Sequence, residues 1–343
     1  MKTRRKAVLL ATLLIGLHAF VIFPAFFSPY DYAAQNRELP FAPPTHLHFV
    51  DQAGHFHPLP FIYPWKEASS SDRRYEEDRT KSYSVRFLTR GDHNRVFGNR
   101  ASGLHLFGVD EPGQIFLFGT DDFGRDQFSR MLFGGRVSLL AGLMGATIAL
   151  IVGGTLGVLS GYHGKWLDSA IMRFVELFLA LPWLYLLFAV RAILPLGIKT
   201  TDAFLLLVGV VGLVGWARPA RLVRGIVLSA KEKDYILAAR AMGASDAHIL
   251  RRHVLPQTYG TMLTMAAILV PQFMLAEVTL SFLGLGVGEP MPSWGNLLLE
   301  LQKYSVLTSY WWMYLPAIAL VILFLTYHWT ATVLQERFAA VSV

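Results

Sequence analysis

Residues 233–256 read KDYILAARAMGASDAHILRRHVLP, two short helical stretches broken at Gly243 and set between long apolar segments. Tyr235, Ile236, Ala239 and Met242 follow one another at spacings of one, four and seven, which puts them on one helical face. Gly243 can take the left-handed conformation that closes a helix. Ser245 is placed to cap a second helix, with Asp246 in the first turn, where the dipole favours an anion. Pro256 marks where the following segment is expected to begin afresh. Small side chains at Ala238, Ala239 and Ala241 leave the backbone open to close approach by another surface. The stretch reads as a helix–turn–helix at the water face of a membrane, shaped to be gripped.

The composition supports that setting. Of 343 residues, 53% are hydrophobic and 16% charged, with a mean hydropathy of +0.41. Soluble domains carry about 25% charged residues. The net charge of +7 comes largely from basic residues beside apolar runs, which fits the positive-inside pattern better than a nucleic-acid stripe. Cysteine is absent, so the sequence has no disulfide framework and no thiolate nucleophile. The 11 histidines show no HExxH or other metal spacing, and no metal site is expected.

The basic stub MKTRRK precedes an apolar run from Ala7 to about Phe27. A signal-peptide core would be only about 7–15 residues, so residues 1–28 are expected to be a cytoplasmic N-terminus and a retained first span. Residues 29–134 turn polar, too long for a plain loop, and are expected to form a periplasmic insert and a pre-span motif. Within them Ser69–Lys81, SSSDRRYEEDRTK, reads as a solvated loop, and Arg86–Thr89 and Ile115–Gly119 as short strands.

Five more apolar segments follow at 136–160, 171–195, 203–222, 258–286 and 312–334, each long enough for a hydrocarbon core of about 30 Å. The expected fold class is an all-α membrane protein of six transmembrane helices. Five of them form a core over 135–334, a basic cytoplasmic loop covers 223–257, and a cytoplasmic tail covers 335–343. Gly153, Gly154 and Gly157 supply small-xxx-small spacing for close helix packing. Glu176 and Glu277 lie inside apolar segments, where an ionisable group must face a protein interior or a cavity. Glu277 reads as a hydrogen-bonded strut or as a gate residue. Pro182, Pro271 and Pro316 are each expected to break a helix ladder, and Trp294, Trp311 and Trp312 to form an interfacial belt.

With these pieces placed, the chain resembles the permease subunits of bacterial ABC importers of the dipeptide/oligopeptide/nickel type, and among them the second permease of the pair. The resemblance rests on GTDDFGRDQFSR followed by MLFGGRVSL at Gly119–Leu139, and on DSAIMRFVELFLALP at Asp168–Pro182. It continues through Ala238–Gly243 with Pro256, AEVTLSFLGLG at Ala276–Gly286 and PSWGNL at Pro292–Leu297. Two departures stand out. Leu237 occupies the place where the family's coupling loop often has Glu, and the C-terminal stretch lacks the usual Gly-Asp-Gly-Leu-Arg ending.

The resemblance implies the type I ABC importer permease fold in the bacterial inner membrane, with both termini cytoplasmic. It implies a second homologous permease, two ABC ATPase subunits and a periplasmic substrate-binding protein as partners, in contact with membrane lipid and without nucleic acid. It also implies ATPase coupling through Tyr235, Ala238, Ala239, Ala241, Met242, Gly243, Ser245 and Pro256. Outer-gate support falls to Gly119, Thr120, Asp121, Gly124, Arg125, Asp126 and Arg136. Asp121 and Asp126 are expected to pair with Arg125, Arg130 or Arg136 and to cap a helix. No GxxxxGK[ST] motif is present, so ATP and Mg are expected on the partner ATPases, with no cofactor and no catalytic residue in this chain.

Di- or oligopeptides are the expected cargo, and nickel or another small solute is the alternative. A membrane-bound DNA-binding regulator is disfavoured because residues 233–256 are tied to spans at both ends. An enzyme built on Asp121, Asp122 and Asp126 lacks a companion nucleophile, a GxSxG elbow or HExxH.

Overall fold

The computed structural model describes residues 2–69, 74–90, 95–96, 99–100, 104–193, 200–284 and 286–339. Leu285 of the fifth-span motif and the end of the expected tail, 340–343, lie outside them, as do residues 70–73 of the expected solvated loop. The chain opens with helices α1 (Lys2–Ile22) and α2 (Pro24–Phe27). Strands β1 (His48–Val50), β2 (Phe56–Ile62), β3 (Trp65–Ser69) and β4 (Arg74–Glu77) follow, then β5 (Tyr83–Arg90), β6 (Arg95–Val96), β7 (Asn99–Arg100) and β8 (Leu104–Val109). Helices α3 (Gln127–His163), α4 (Lys165–Ala180), α5 (Trp183–Ile193), α6 (Thr200–Gly215) and α7 (Ala217–Lys231) come next. After α8 (Asp234–Ala241) and α9 (Asp246–Ile249) the chain runs through α10 (Leu255–Phe282), α11 (Trp294–Leu299), α12 (Tyr304–Ser309) and α13 (Leu315–Ala339).

Among the described residues, four helical runs are long and apolar enough to cross a membrane: Gln127–His163, Thr201–Lys231, Asp246–Phe282 and Trp311–Phe338. A shorter apolar helix covers Val8–Ile22. The expected span at 171–195 is instead two helices, α4 and α5, parted at Leu181 and Pro182. Leu181 is extended, with φ −76° and ψ 130°, because the proline ring disfavours the helical conformation in the residue before it. Pro182 therefore breaks its ladder as expected. Pro271 stays inside α10. Pro316 breaks nothing, since it lies in the first turn of α13, where a missing N–H has no helical partner to lose.

Two compact units are formed, one of Met1–Ile15, Leu139–Leu280 and Ile322–Val343, the other of Gly16–Ser138 and Ser281–Val321. In the first unit, glycines on α3 form a ridge along which α7 packs at backbone distance. A Cβ on Gly153 would meet the Trp216 carbonyl at 2.5 Å, one on Gly157 the Ala220 carbonyl at 2.5 Å, and one on Gly161 the Arg224 carbonyl at 2.9 Å. Each contact advances four residues on both helices, the close packing that small-xxx-small spacing provides. Val158 of α3 then joins Val223, Val227 and Ala230 of α7 in a buried cluster.

In the second unit the all-α expectation fails. A four-stranded antiparallel sheet has the order β1-β2-β5-β8, beside the hairpins β3-β4 and β6-β7. Ile62, Val85 and Phe107 from the sheet pack with Ile115, Phe128 and Leu132, and with Phe20 and Phe27 at the end of the first helices. Arg86–Thr89 is strand as expected. Ile115–Gly119 is not: it is a loop whose Phe116 exchanges hydrogen bonds with Thr45, Thr45 N–H to the Phe116 carbonyl at 2.8 Å and Phe116 N–H to Thr45 Oγ1 at 2.9 Å. Arg74–Glu77, expected in a solvated loop, forms β4.

Candidate functional site

Residues 233–256 fold in the first unit as a turn on a buried stem. Ile236 of α8, Ile249 of α9 and Val254 are fully buried and join the Val223–Val227 cluster. Gly243 has φ +85° and no atom within 4 Å of an added Cβ, so its backbone conformation alone calls for glycine. Ser245 caps α9 by accepting the His248 N–H at 3.3 Å.

Two expectations need correction. The second helix is not a short isolated piece. A π-helical turn at Leu250–Val254 carries it directly into α10, with the Leu255 N–H bonded to the Leu250 carbonyl. Pro256 therefore starts no fresh segment. The wider π turn ahead of it relieves the clash that its ring makes with the carbonyl four residues back in an α ladder. Ile236, expected on one helical face with Tyr235, Ala239 and Met242, is fully buried in the core while Tyr235 and Met242 stay exposed.

Tyr235, Ala239, Met242, Gly243, Ser245 and His253 line an open cleft of ≈ 630 Å³ on the loop surface. Ala238, Ala241 and Pro256 are exposed but do not line it. Leu237, at the family's Glu position, is an exposed apolar side chain.

Polar contacts tie this turn to the ends of neighbouring helices. Tyr162, near the end of α3, donates its hydroxyl to the Asp246 carboxylate. Arg240 approaches the same oxygen at 3.5 Å. Arg224 of α7 grips Asp168 of α4 through two hydrogen bonds, Nε to Oδ1 at 2.5 Å and Nη2 to Oδ2 at 2.6 Å, and Ser160 also donates to Asp168. The Arg224 guanidinium holds the Asp168 carboxyl below the usual carboxylate range. Lys231 Nζ donates to the Gly161 carbonyl at 3.0 Å. Sequence reasoning passed over Tyr162, Asp168 and Arg224 as site residues. Their signal is the run of polar residues where apolar segments end.

In the second unit, the block Gly119–Asp126 forms a tight loop ahead of α3. Gly119 and Gly124 both have positive φ, and the Gly124 position lies against the Asn36 carbonyl, where a Cβ has no room. Thr120 accepts the Ala42 N–H and donates to the Leu39 carbonyl. Asp121 is buried and accepts the N–H groups of Phe123 and Arg125 at 2.9 and 3.0 Å. It also pairs with Arg125 at 2.7 Å and Arg130 at 3.2 Å. Asp126 caps α3, accepting the Ser129 N–H at 2.8 Å, while its Oδ1 is buried with no hydrogen-bond partner. Burial pushes the Asp126 carboxyl up to about 7 against the hydrogen bonds from Ser129. Asp122 is raised as well, by burial and by the nearby charges of Glu300 and Asp121. Arg136 lies half-buried further along α3.

Glu289, which sequence reasoning missed, completes this network. Its two oxygens accept from Arg125 Nη1 at 2.9 Å and Arg130 Nη2 at 2.8 Å. Burial would raise the Glu289 carboxyl, but the two guanidiniums outweigh it and hold it below its ordinary value. Trp294 and Trp312 are buried, not an interfacial belt. Their indole N–H groups donate to the carbonyls of Met131 at 2.8 Å and Thr120 at 3.1 Å. Trp311 alone of the three is exposed.

Of the two carboxylates expected inside apolar spans, Glu176 is exposed on α4 and Glu277 is fully buried on α10. In the first unit, Phe178, Trp183, Val211 and Phe273 enclose a cavity of ≈ 120 Å³, with Arg218 and Gln272 as its polar groups.

A family model described as "Binding-protein-dependent transport system inner membrane component" matches residues 153–339, more than half of the chain. The dipeptide transport system permease protein DppC of Bacillus subtilis (strain 168) is 36% identical over 207 residues, covering 60% of this chain and 62% of that protein. A putative peptide permease protein of Brucella suis biovar 1 is 36% identical over 228 residues, covering 66% of this chain and 74% of its own length. The oligopeptide transport system permease protein OppC of Bacillus subtilis is 34% identical over 218 residues, covering 63% and 69% of the two chains.

Proposed function

The chain belongs to the family of binding-protein-dependent transport system inner membrane components, and from that premise we propose that it is the permease subunit of an ATP-driven importer of di- or oligopeptides. The relatives' names, which speak of dipeptide and oligopeptide transport, support the choice of cargo. The chain contributes half of a translocation pathway in the bacterial inner membrane, and a second homologous permease contributes the other half. Two ABC ATPases bind on the cytoplasmic side and carry ATP and Mg, and a periplasmic binding protein delivers the peptide. The chain itself catalyses no covalent step. In this reading the chain has six spans, with the broken α4–α5 pair and the short first helix completing the set, so that both termini lie in the cytoplasm and the β-rich insert outside.

The observation that carries this reading is the turn at Gly243. Its apolar stem is fully buried while Tyr235, Ala239 and Met242 present an exposed cleft. A surface of that kind passes a rigid push from a docked ATPase into α10 without unfolding. Closure of the ATPases then switches the spans between two packings, a bistable transition and not a chemical step. Asp121, Arg125, Arg130 and Glu289 brace the outer side, and Glu277 serves as a strut within the spans.

Uptake tests the proposal. The chain, co-expressed with its partner permease and ATPases and reconstituted in vesicles, is expected to accumulate a labelled dipeptide or oligopeptide only with ATP and the binding protein. Accumulation of nickel without peptide would move the cargo to the alternative. An intact complex that takes up neither would contradict the reading.

A further inference from the structure

Outside the sites above, the insert gathers two histidines and a carboxylate that are distant in sequence. His46 and His48 are two residues apart on an extended segment leading into β1, and extended chain sends alternate side chains to one side. Glu77 ends β4. His46 Nδ1 and His48 Nε2 each lie 2.9 Å from the same oxygen, Glu77 Oε1. Among the described residues this is the one trio of potential ligands whose donor atoms all fall within 4.8 Å of one another.

We propose that His46, His48 and Glu77 form a binding site for a divalent transition-metal ion of the zinc or nickel type, with its remaining coordination positions open to solvent.

Three features carry this. The donor set is right: two imidazole nitrogens and a carboxylate oxygen suit zinc, nickel and copper, whereas calcium and magnesium take oxygen. The spacing is also close to what coordination requires. Bonds of about 2.0–2.2 Å place neighbouring ligand atoms roughly 3.0–3.4 Å apart in octahedral or tetrahedral geometry, so the 2.9 Å separations open by only a few tenths of an ångström. The surroundings, finally, fix the ligands. Arg79 Nε holds the other carboxylate oxygen at 3.3 Å, leaving Oε1 for the ion. Trp65 packs on the His46 ring with centroids 5.5 Å apart, and Tyr63 on the His48 ring at 5.0 Å.

The group lies on an open cleft of ≈ 490 Å³, which leaves room for water or a chelating ligand on the ion. A nearby look-alike gives a control. Asp51 Oδ2 contacts His55 at 3.3 Å and His57 at 3.1 Å, but the donor atoms of this group do not all fall within 4.8 Å of one another, and Asp51 Oδ1 accepts the N–H groups of Ala53 and His55. That group supports a turn.

The test uses the full chain in mild detergent, without a polyhistidine tag, stripped by chelator and titrated calorimetrically with Zn²⁺. One saturable equivalent is expected, weakened by about 100-fold or more in His46→Ala and His48→Ala, since even outer-shell losses cost 10–100-fold. The double variant His55→Ala/His57→Ala should keep the wild-type affinity. Paramagnetic resonance of Cu²⁺ on the unmodified chain should show coupling to two imidazole nitrogens, a readout that needs no variant to fold. Absence of a saturable site in the wild type, unchanged affinity in the His46 and His48 variants, or a Cu²⁺ spectrum without two-nitrogen coupling would each overturn the proposal.

Discussion

The hydroxyl of Tyr162, one residue from the end of α3, donates to the carboxylate of Asp246, the first residue of α9. A long apolar helix is thereby fastened by a charge-assisted bond to the second half of the exposed turn. Hydrogen bonds to charged groups contribute about 1.5–3 kcal/mol when shielded and less when open to water. Tyr162→Phe removes this bond while keeping the ring. The expected result is normal assembly with the ATPases, a stability loss of about 1 kcal/mol, and several-fold less peptide moved per ATP hydrolysed in reconstituted vesicles.

The turn itself is tested at Gly243. Its φ of +85° costs a β-branched residue roughly 1–2 kcal/mol, and no neighbouring atom stands in the way of the side chain. Gly243→Val should therefore leave the fold intact but distort the turn. Basal ATPase activity is expected to persist while its stimulation by loaded binding protein is largely lost. Full stimulation would mean that the geometry of the turn is not what couples.

A third expectation concerns Glu289, whose two oxygens serve two buried guanidiniums. Removing one partner of a buried pair costs 3–5 kcal/mol. Glu289 is itself half exposed, so water compensates part of the loss and about 1–3 kcal/mol is expected for Glu289→Gln. Lys303→Gln, at an exposed pair with Asp122 and Glu300, should stay within about 0.5 kcal/mol. Thermal unfolding of the two variants in the same detergent compares them directly.

The helix cap at Asp126 predicts a pH dependence. Its carboxyl is raised from an ordinary value of 3.8 to about 7 by burial. A raised carboxyl favours the protonated folded state, so the stabilisation is complete below the ordinary value and is lost as pH rises through about 7. The chain is expected to melt at a lower temperature at pH 8 than at pH 6, and the difference should largely vanish in Asp126→Asn. An equal slope in the two proteins would place the titrating group elsewhere.

Much of this was legible from local pattern. Gly153 and Gly157 announced close packing, and Gly243 and Ser245 announced the turn and its cap, because each conclusion needs only neighbours within a helical turn or two. The insert was not legible in the same way. Pro58 and Pro60 fall inside β2 between the residues paired to β1 and β5, so the strand carried proline where a sheet signal was sought. Glu289 and Glu77 were missed for a different reason. Their meaning comes from partners 159 and 164 positions away for Glu289 and 29 and 31 away for Glu77, and only the fold brings them together. The continuous path through Pro256 depended on a π turn, which no residue type marks.

Docking of an ATPase on the turn is tested most directly by purifying the tagged chain with its partners in mild detergent and identifying what is retained, for the wild type and for Ala239→Glu. Ala239 lines the loop cleft beside Tyr235 and Met242, so a carboxylate there meets the docked surface. The expected result is a second multi-span permease with both preparations, and ATPase subunits with the wild type but at least about tenfold depleted with the variant, a difference of 1.4 kcal/mol or more in binding. Equal ATPase retention by the two proteins, or a wild-type chain that purifies alone, would contradict docking at this turn.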